Sequence, residues 1–172
     1  MRQPTLFSVP PKKRRPPRVM MHVIDAGDPQ SYDVAYPDRC LARFQCRRCD
    51  WQTNWIAIDT ITEARRGVPC PACSEAAPLF IPLRGEYFDA FVAGTKSTEF
   101  RPYGPRWNER TCPRFRPVLL SRGYSAAHRR LGLVVDFEIS REPCTRDDWR
   151  ACYGAQIVDV ACIWIQTNEA ER

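Results

Sequence analysis

The stretch Cys46-Arg47-Arg48-Cys49, answered twenty residues later by Cys70-Pro71-Ala72-Cys73, decides how the first half of this chain is read. Each CxxC lets two thiolates leave one tight turn toward a common point, and two such turns complete a closed tetrahedron with no position for water. The spacing is that of a structural four-cysteine site, so a zinc ribbon holding structural Zn2+ on Cys46, Cys49, Cys70 and Cys73 is expected. A redox-active dithiol would instead sit in a βαβ context, which this segment lacks. Cys40 and His22 are the other residues nearby that can replace a ligand, although neither belongs to a paired knuckle. Arg47 and Arg48 sit inside the first knuckle, either facing a partner's phosphates or simply solvated.

Outward from the knuckles, Leu41 to Ile58 carries the first CxxC between Phe44 and the aromatics Trp51 and Trp55, as hairpin strands around a metal knuckle would. Asp59 to Gly67 reads as a short helix. Thr60 with Glu63 fits a capping box, and Gly67 suits the left-handed position after a helix. Before this unit, Met21 to Ile24 is a short strand, and Asp25, Gly27, Asp28 and Pro29 open a loop that runs through Pro37. A unit of roughly 55 residues gains little from its own core, so bound metal would supply much of its folding free energy.

The chain has 172 residues, 44% of them apolar, enough for one ordinary core plus that smaller unit. Three segments are expected: a basic, Pro-rich arm over 1–20, the ribbon over 21–76 and a second domain over 77–172. The net charge of +6 belongs to the arm, since Arg2, Lys12, Lys13, Arg14, Arg15 and Arg18 have no acid among them and the remaining twenty basic residues match the twenty acidic ones. Such an arm either tracks nucleic-acid phosphates, with strong salt dependence, or is a solvated leader kept extended by Pro10, Pro11, Pro16 and Pro17. Nine cysteines is an odd number for a disulfide framework, and Cys40, Cys112, Cys144, Cys152 and Cys162 read as ordinary thiols. The N-terminus lacks the order of a secretory signal, and the most apolar run, Ile157 to Ile165, is broken by Asp159. A cytoplasmic protein without a membrane anchor is expected. The oligomeric state leaves no mark in the sequence.

In the second half, Pro78 to Leu83 reads as a strand and Gly85 to Ala93 as a helix with Phe88, Phe91 and Val92 on one face, ended by Gly94. Ser97 to Tyr103 alternates as a strand that puts Glu99 and Arg101 on a common face. Strands follow at Pro117 to Ser121 and Leu131 to Ile139, then a helix from Asp147 to Tyr153 capped by Thr145, then a strand from Gln156 to Gln166. The fold class is α+β, mainly β: a small zinc ribbon followed by a mixed β-barrel with short helices.

Gly94-Thr95-Lys96-Ser97-Thr98-Glu99-Phe100-Arg101 matches GxKxxExR, and the helix Glu86 to Ala93 precedes it. In this motif and its setting the chain resembles the ASCH branch of the PUA-like superfamily, over about residues 78 to 168, including Leu119-Leu120-Ser121-Arg122-Gly123-Tyr124. The resemblance implies a PUA-like β-barrel with a cleft lined by Lys96, Glu99 and Arg101, in domains that bind RNA or modified bases. Cations suit phosphates or base edges, a carboxylate accepts from an exocyclic amine, and Tyr103, Trp107 and Tyr124 are available for stacking. Ser121 and Arg122 join them as ligand-binding candidates. The plain alternative makes Glu99 and Arg101 a surface ion pair and the aromatics core.

Some family members resemble amidohydrolases that deacylate modified cytidine, with the signature lysine and a threonine three residues later. Here Glu99 holds that position, so Lys96 and Glu99 are the catalytic candidates while the activity itself does not transfer directly. A nucleic-acid-binding module, with RNA or a single strand as partner, is preferred to the amidohydrolase. A protein-interaction adaptor is the third class. His128, beside Arg129 and Arg130, reads as a solvated loop residue. Lys96 is the sole lysine after position 20, the other nineteen cations there being arginine, which singles it out.

Overall fold

A computed structural model describes residues 17–27, 39–75, 77–154 and 158–167. The arm before Pro17, the loop through Pro37, the Cys144 side chain and the start of the last strand at Gln156 lie outside the described residues.

Four strands form the first sheet, in the order β3-β2-β1-β4: β1 (Met20–Gly27), β2 (Cys40–Gln45), β3 (Ile56–Ile58) and β4 (Val68–Pro69). All its pairings are antiparallel. β1 runs past Ile24, where the sequence signals a turn, because β2 pairs with it as far as Gly27 opposite Leu41 and a register shift between Val23 and Asp25 absorbs the mismatch. Between β3 and β4 lies helix α1 (Ile61–Arg66), whose start is fixed as its sequence dictates. Thr60 Oγ1 accepts from the Glu63 amide at 3.1 Å, and the Glu63 carboxylate accepts in return from the Asp59 amide at 2.7 Å, one residue earlier than in a standard capping box. Gly67 ends the helix at φ 72, donating to the carbonyls of Glu63 and Ala64.

The second sheet has five strands in the order β5-β7-β8-β9-β6: β5 (Leu79–Leu83), β6 (Thr98–Pro102), β7 (Pro117–Arg122), β8 (Arg129–Ser140) and β9 (Val160–Thr167). β5 and β7 are parallel and the other pairs antiparallel. Strands β5 and β6, neighbours in sequence, therefore stand at opposite edges, joined through helix α2 (Gly85–Val92). The sheet curls until those edges meet: Arg101 on β6 donates to the carbonyl of Pro82 on β5. Leu79, Ile81, Phe88, Phe91, Val118, Leu120, Ile163 and Ile165 are buried together inside.

A 3-10 turn (Glu142–Thr145) and helix α3 (Asp147–Tyr153) connect β8 to β9. Thr145 does not cap α3, contrary to the sequence expectation. Its hydroxyl donates to the Glu142 carbonyl inside the 3-10 turn, and Arg146 takes the capping position without a side-chain bond.

The two sheets are not separate bodies in their packing. Leu133 of β8 is fully buried in the core built around Met21, Phe44 and Trp51, and Phe115 and Val135 pack against the same core. Burying one such side chain stabilises by about 1.5–3 kcal/mol, so the seam contributes to holding both units. Phe115 sits at φ 63, an unfavourable region for a bulky residue, while its amide is held by the Val134 carbonyl at 2.7 Å. Two arginines cross the seam in opposite directions. Arg39, just before β2, reaches Asp136 of β8 at 2.9 Å, and Arg114, just before β7, pairs with Asp59 and Glu63 and donates to the Ala57 carbonyl.

Gly67 is where the first unit has least freedom, because a Cβ there would stand 1.9 Å from the Met21 carbonyl oxygen in addition to its positive φ. Gly67→Ala is expected to lower unfolding free energy by about 2 kcal/mol or more. Urea denaturation checks this, and an unchanged midpoint would contradict it.

Candidate metal centre and cleft

The sheet delivers the four knuckle cysteines to one point. The Cys46 amide bonds the Trp51 carbonyl at 2.9 Å and the Cys70 amide bonds the Val19 carbonyl at 2.8 Å, which ties each knuckle to the strands beside it. Both knuckles close alike, with Asp50 donating to the Cys46 carbonyl and Ser74 to the Cys70 carbonyl, each at 3.0 Å. Asp50 takes φ 56 to complete the first turn.

Sγ atoms of Cys46, Cys49, Cys70 and Cys73 all lie within 4.8 Å of one another. Cys49 and Cys70 are 3.6 Å apart and Cys46 and Cys73 are 4.0 Å apart. A tetrahedron of metal–thiolate bonds of about 2.3 Å has edges of about 3.8 Å, so these sulfurs stand where ligands to one ion stand. They could hold a metal ion. Cys46 and Cys70 are buried in the core while Cys49 is exposed and Cys73 partly so. Cys40, at the exposed start of β2, and His22, opposite Gln45 on β1, do not belong to the cluster.

Burial pushes the Cys70 thiol far up, beyond relief by the backbone donors of Cys73 and Ala72. Cys46 is also pushed up by burial, but the amides of Arg48 and Cys49 together with hydrogen bonds to the Cys70 and Cys49 thiols outweigh this and leave its pKa lowered. Sharing a hydrogen bond with Cys49 raises Cys73. Four thiolates this close repel one another, and a cation among them removes that penalty.

A second site lies where the edges of the curled sheet meet. A cleft of about 80 Å³ opens between Pro82 and Leu83 of β5 and Glu99, Phe100 and Arg101 of β6, with Arg84, Tyr87, Lys96, Trp149, Cys152 and Tyr153 around it. As the alternation requires, Glu99 and Arg101 share a face, but their pair is buried and not on the surface: Glu99 is 6% exposed. Its carboxylate is 3.0 Å from Arg101 Nε and 3.8 Å from Lys96 Nζ. A buried carboxylate is tolerable only with such partners. Arg101 also reaches the Tyr153 hydroxyl at 3.4 Å, and Trp107 lies 5.3 Å from its guanidinium.

Lys96 is placed by the end of α2. Gly94 turns at φ 73, and the amides of Thr95 and Lys96 both bond the Ala90 carbonyl. Its ammonium then stands 5.0 Å from the Phe100 ring, 5.4 Å from Tyr87 and 5.7 Å from Phe91, within cation–π range of all three.

Five sequence candidates stand outside this cleft. Tyr103 is partly exposed, with its hydroxyl donated to Glu109 at 2.9 Å, an acceptor that raises its pKa. Trp107 backs Arg101 as a buried ring instead of offering a stacking face. Ser121 is buried and donates to the Ser125 carbonyl, Arg122 pairs with Asp89 at 3.0 Å, and Tyr124 projects into solvent at 79% exposure beside Phe80. The cleft's rings come from the helices and from β6: Tyr87, Phe100, Trp149 and Tyr153. Of these, Trp149 and Tyr153 are missed from sequence, although their i,i+4 spacing on α3 puts them on one face, where their rings lie 4.4 Å apart.

No family model matches the chain, and neither does any curated protein or solved structure. Among the described residues no helix is long and apolar enough to cross a membrane.

Metal removal from the full chain, by a strong chelator or by Cys70→Ser, is expected to lower the melting temperature by roughly 10 °C or more, because ligand binding and folding of this unit are one event. A melt that chelation leaves unchanged, with all four thiols equally reactive before and after it, would contradict the assignment.

Proposed function

We propose that this chain is a nucleic-acid-binding protein in which a zinc ribbon and a PUA-like, ASCH-type barrel are packed together, the barrel cleft receiving an RNA or modified base. The observation that carries this reading is the buried carboxylate of Glu99, held between Lys96 and Arg101 at the floor of a cleft walled by aromatic rings. A nucleobase offers what such a site takes: a flat π face and a polar edge whose exocyclic amine a carboxylate accepts. The Gly94 to Arg101 motif supports the same assignment, because its lysine, glutamate and arginine supply three of the four charged residues that line the cleft, Arg84 being the fourth.

Zinc is the ion we assign to the cysteine cluster, since four thiolates in a closed tetrahedron favour it and leave no position for a substrate. When bound it supplies a structural crosslink between the knuckles. Such a centre suits the cytoplasm, where thiols stay reduced.

The 3.8 Å approach of Lys96 to Glu99 favours a second reading, an amidohydrolase acting on N4-acylated cytidine or a related nucleoside, in which the pair would move a proton. Binding and turnover are separated by titrating the protein with an oligoribonucleotide containing N4-acetylcytidine and its unmodified counterpart, and by following acetate release. Lys96→Arg, although it keeps the charge, is expected to weaken binding nearly as much as Lys96→Ala, by about tenfold, with the circular dichroism spectrum unchanged. Full affinity in Lys96→Ala removes the cleft from the account. Acetate released by the wild type and not by Lys96→Ala selects the second reading.

A further inference from the structure

Where the two sheets meet, a groove of about 890 Å³ runs between α1 and the segment entering β7, a size typical of ligand sites. Its charged lining is Arg18, Asp59, Glu63, Arg66, Arg114 and Arg116. The two carboxylates are already engaged. Asp59 pairs with Arg114 and with Arg39, the latter at 3.6 Å, and Glu63 pairs with Arg114 at 3.5 Å while accepting from the Asp59 amide. Arg116 donates to the Thr111 carbonyl. Arg18 and Arg66 are exposed and, among the described residues, form neither an ion pair nor a side-chain hydrogen bond.

The sequence extends that imbalance. Lys12-Lys13-Arg14-Arg15 immediately precede the Pro16-Pro17-Arg18 that leads into the groove, and residues 1–20 hold no acid. Cations distributed along a run suit a ligand with one negative charge per repeat better than a single anion. The groove lies between α1 and the segment entering β7, and a positively charged groove of this kind tracks the backbone of a single strand.

We propose that this groove holds the phosphate backbone of single-stranded nucleic acid, with Arg18 and Arg66 as its phosphate contacts. The proposal rests on the nucleic-acid reading above but uses residues that do not line the cleft of Lys96, Glu99 and Arg101. Guanidiniums bind phosphate oxygens through paired, charge-assisted hydrogen bonds, fixing the strand's register without reading its sequence.

The test is fluorescence anisotropy of a labelled oligouridylate of about twelve nucleotides with the full chain over a series of KCl concentrations. The charge-reversed pair R18E/R66E is expected to bind about tenfold more weakly and to reduce the slope of log affinity against log salt by about 1.4, the loss of two single-strand phosphate contacts. Thermal melting verifies folding, and the milder R18Q/R66Q pair should show the same slope change if the reversed pair melts early. Wild-type affinity and slope in these variants overturn the groove proposal and leave the cleft reading standing. If the wild type ignores oligouridylate but binds labelled polyglutamate in a manner that R18E/R66E abolishes, the groove serves an acidic protein and the proposal is overturned. Binding of neither probe overturns it as well, and the cleft reading then depends on the N4-acetylcytidine titration alone.

Discussion

Four sulfur atoms, all within 4.8 Å of one another, draw the two knuckles of this chain to one point. Two of them, on Cys46 and Cys70, lie in one apolar core with Phe44, Trp51 and Val68, so the knuckles and the strands are packed as one unit. Gly67 shows how tight the arrangement is. It ends α1 against the Met21 carbonyl three residues before Cys70, so the helix terminus sets where the second knuckle begins. The core is then completed from outside the unit by Leu133, which ties the two sheets to one core.

The second sheet meets a different problem, that of its own edges. Strands β5 and β6 leave unpaired backbone groups at opposite ends of the sheet, and an exposed edge invites pairing with other chains. Curling brings the two edges together, and Arg101 spans the gap to the Pro82 carbonyl. The guanidinium drawn inward needs an anion, which Glu99 provides, and Lys96 joins from the end of α2. A charged cleft is thus the by-product of closing the sheet with side chains where strands do not pair. In the proposed reading, closing the sheet and binding a ligand fall to the same residues there. Arg101, bound to a carbonyl and a carboxylate, is held as a positioning group, while Lys96 and Glu99 border the space a ligand would use.

What the sequence reveals about this fold follows from how local each determinant is. The CxxC spacing, the Thr60 and Glu63 cap, Gly67 and the alternation that joins Glu99 to Arg101 act within a few residues, and the structure contains each of them. Determinants set by distant partners were not legible. The pairing of β2 extends β1 beyond Ile24, the 3-10 turn takes the Thr145 hydroxyl, and the seam uses Leu133 and Phe115, whose sequence pattern is that of ordinary core. The cleft illustrates both cases. Its charged floor was readable from one strand, whereas its aromatic wall depends on α3 folding back over β6, so Trp149 and Tyr153 escaped notice while Tyr124, more conspicuous in sequence, stands in solvent.

A single ion among the four thiolates would fix the first unit. X-ray absorption at the zinc edge, on full-length protein purified without chelator, tests it without relying on stability or activity. The account requires one zinc per chain with four sulfur scatterers at about 2.3 Å and no nitrogen or oxygen in the first shell. A shell containing a histidine or water ligand, or protein that carries no zinc, would contradict it.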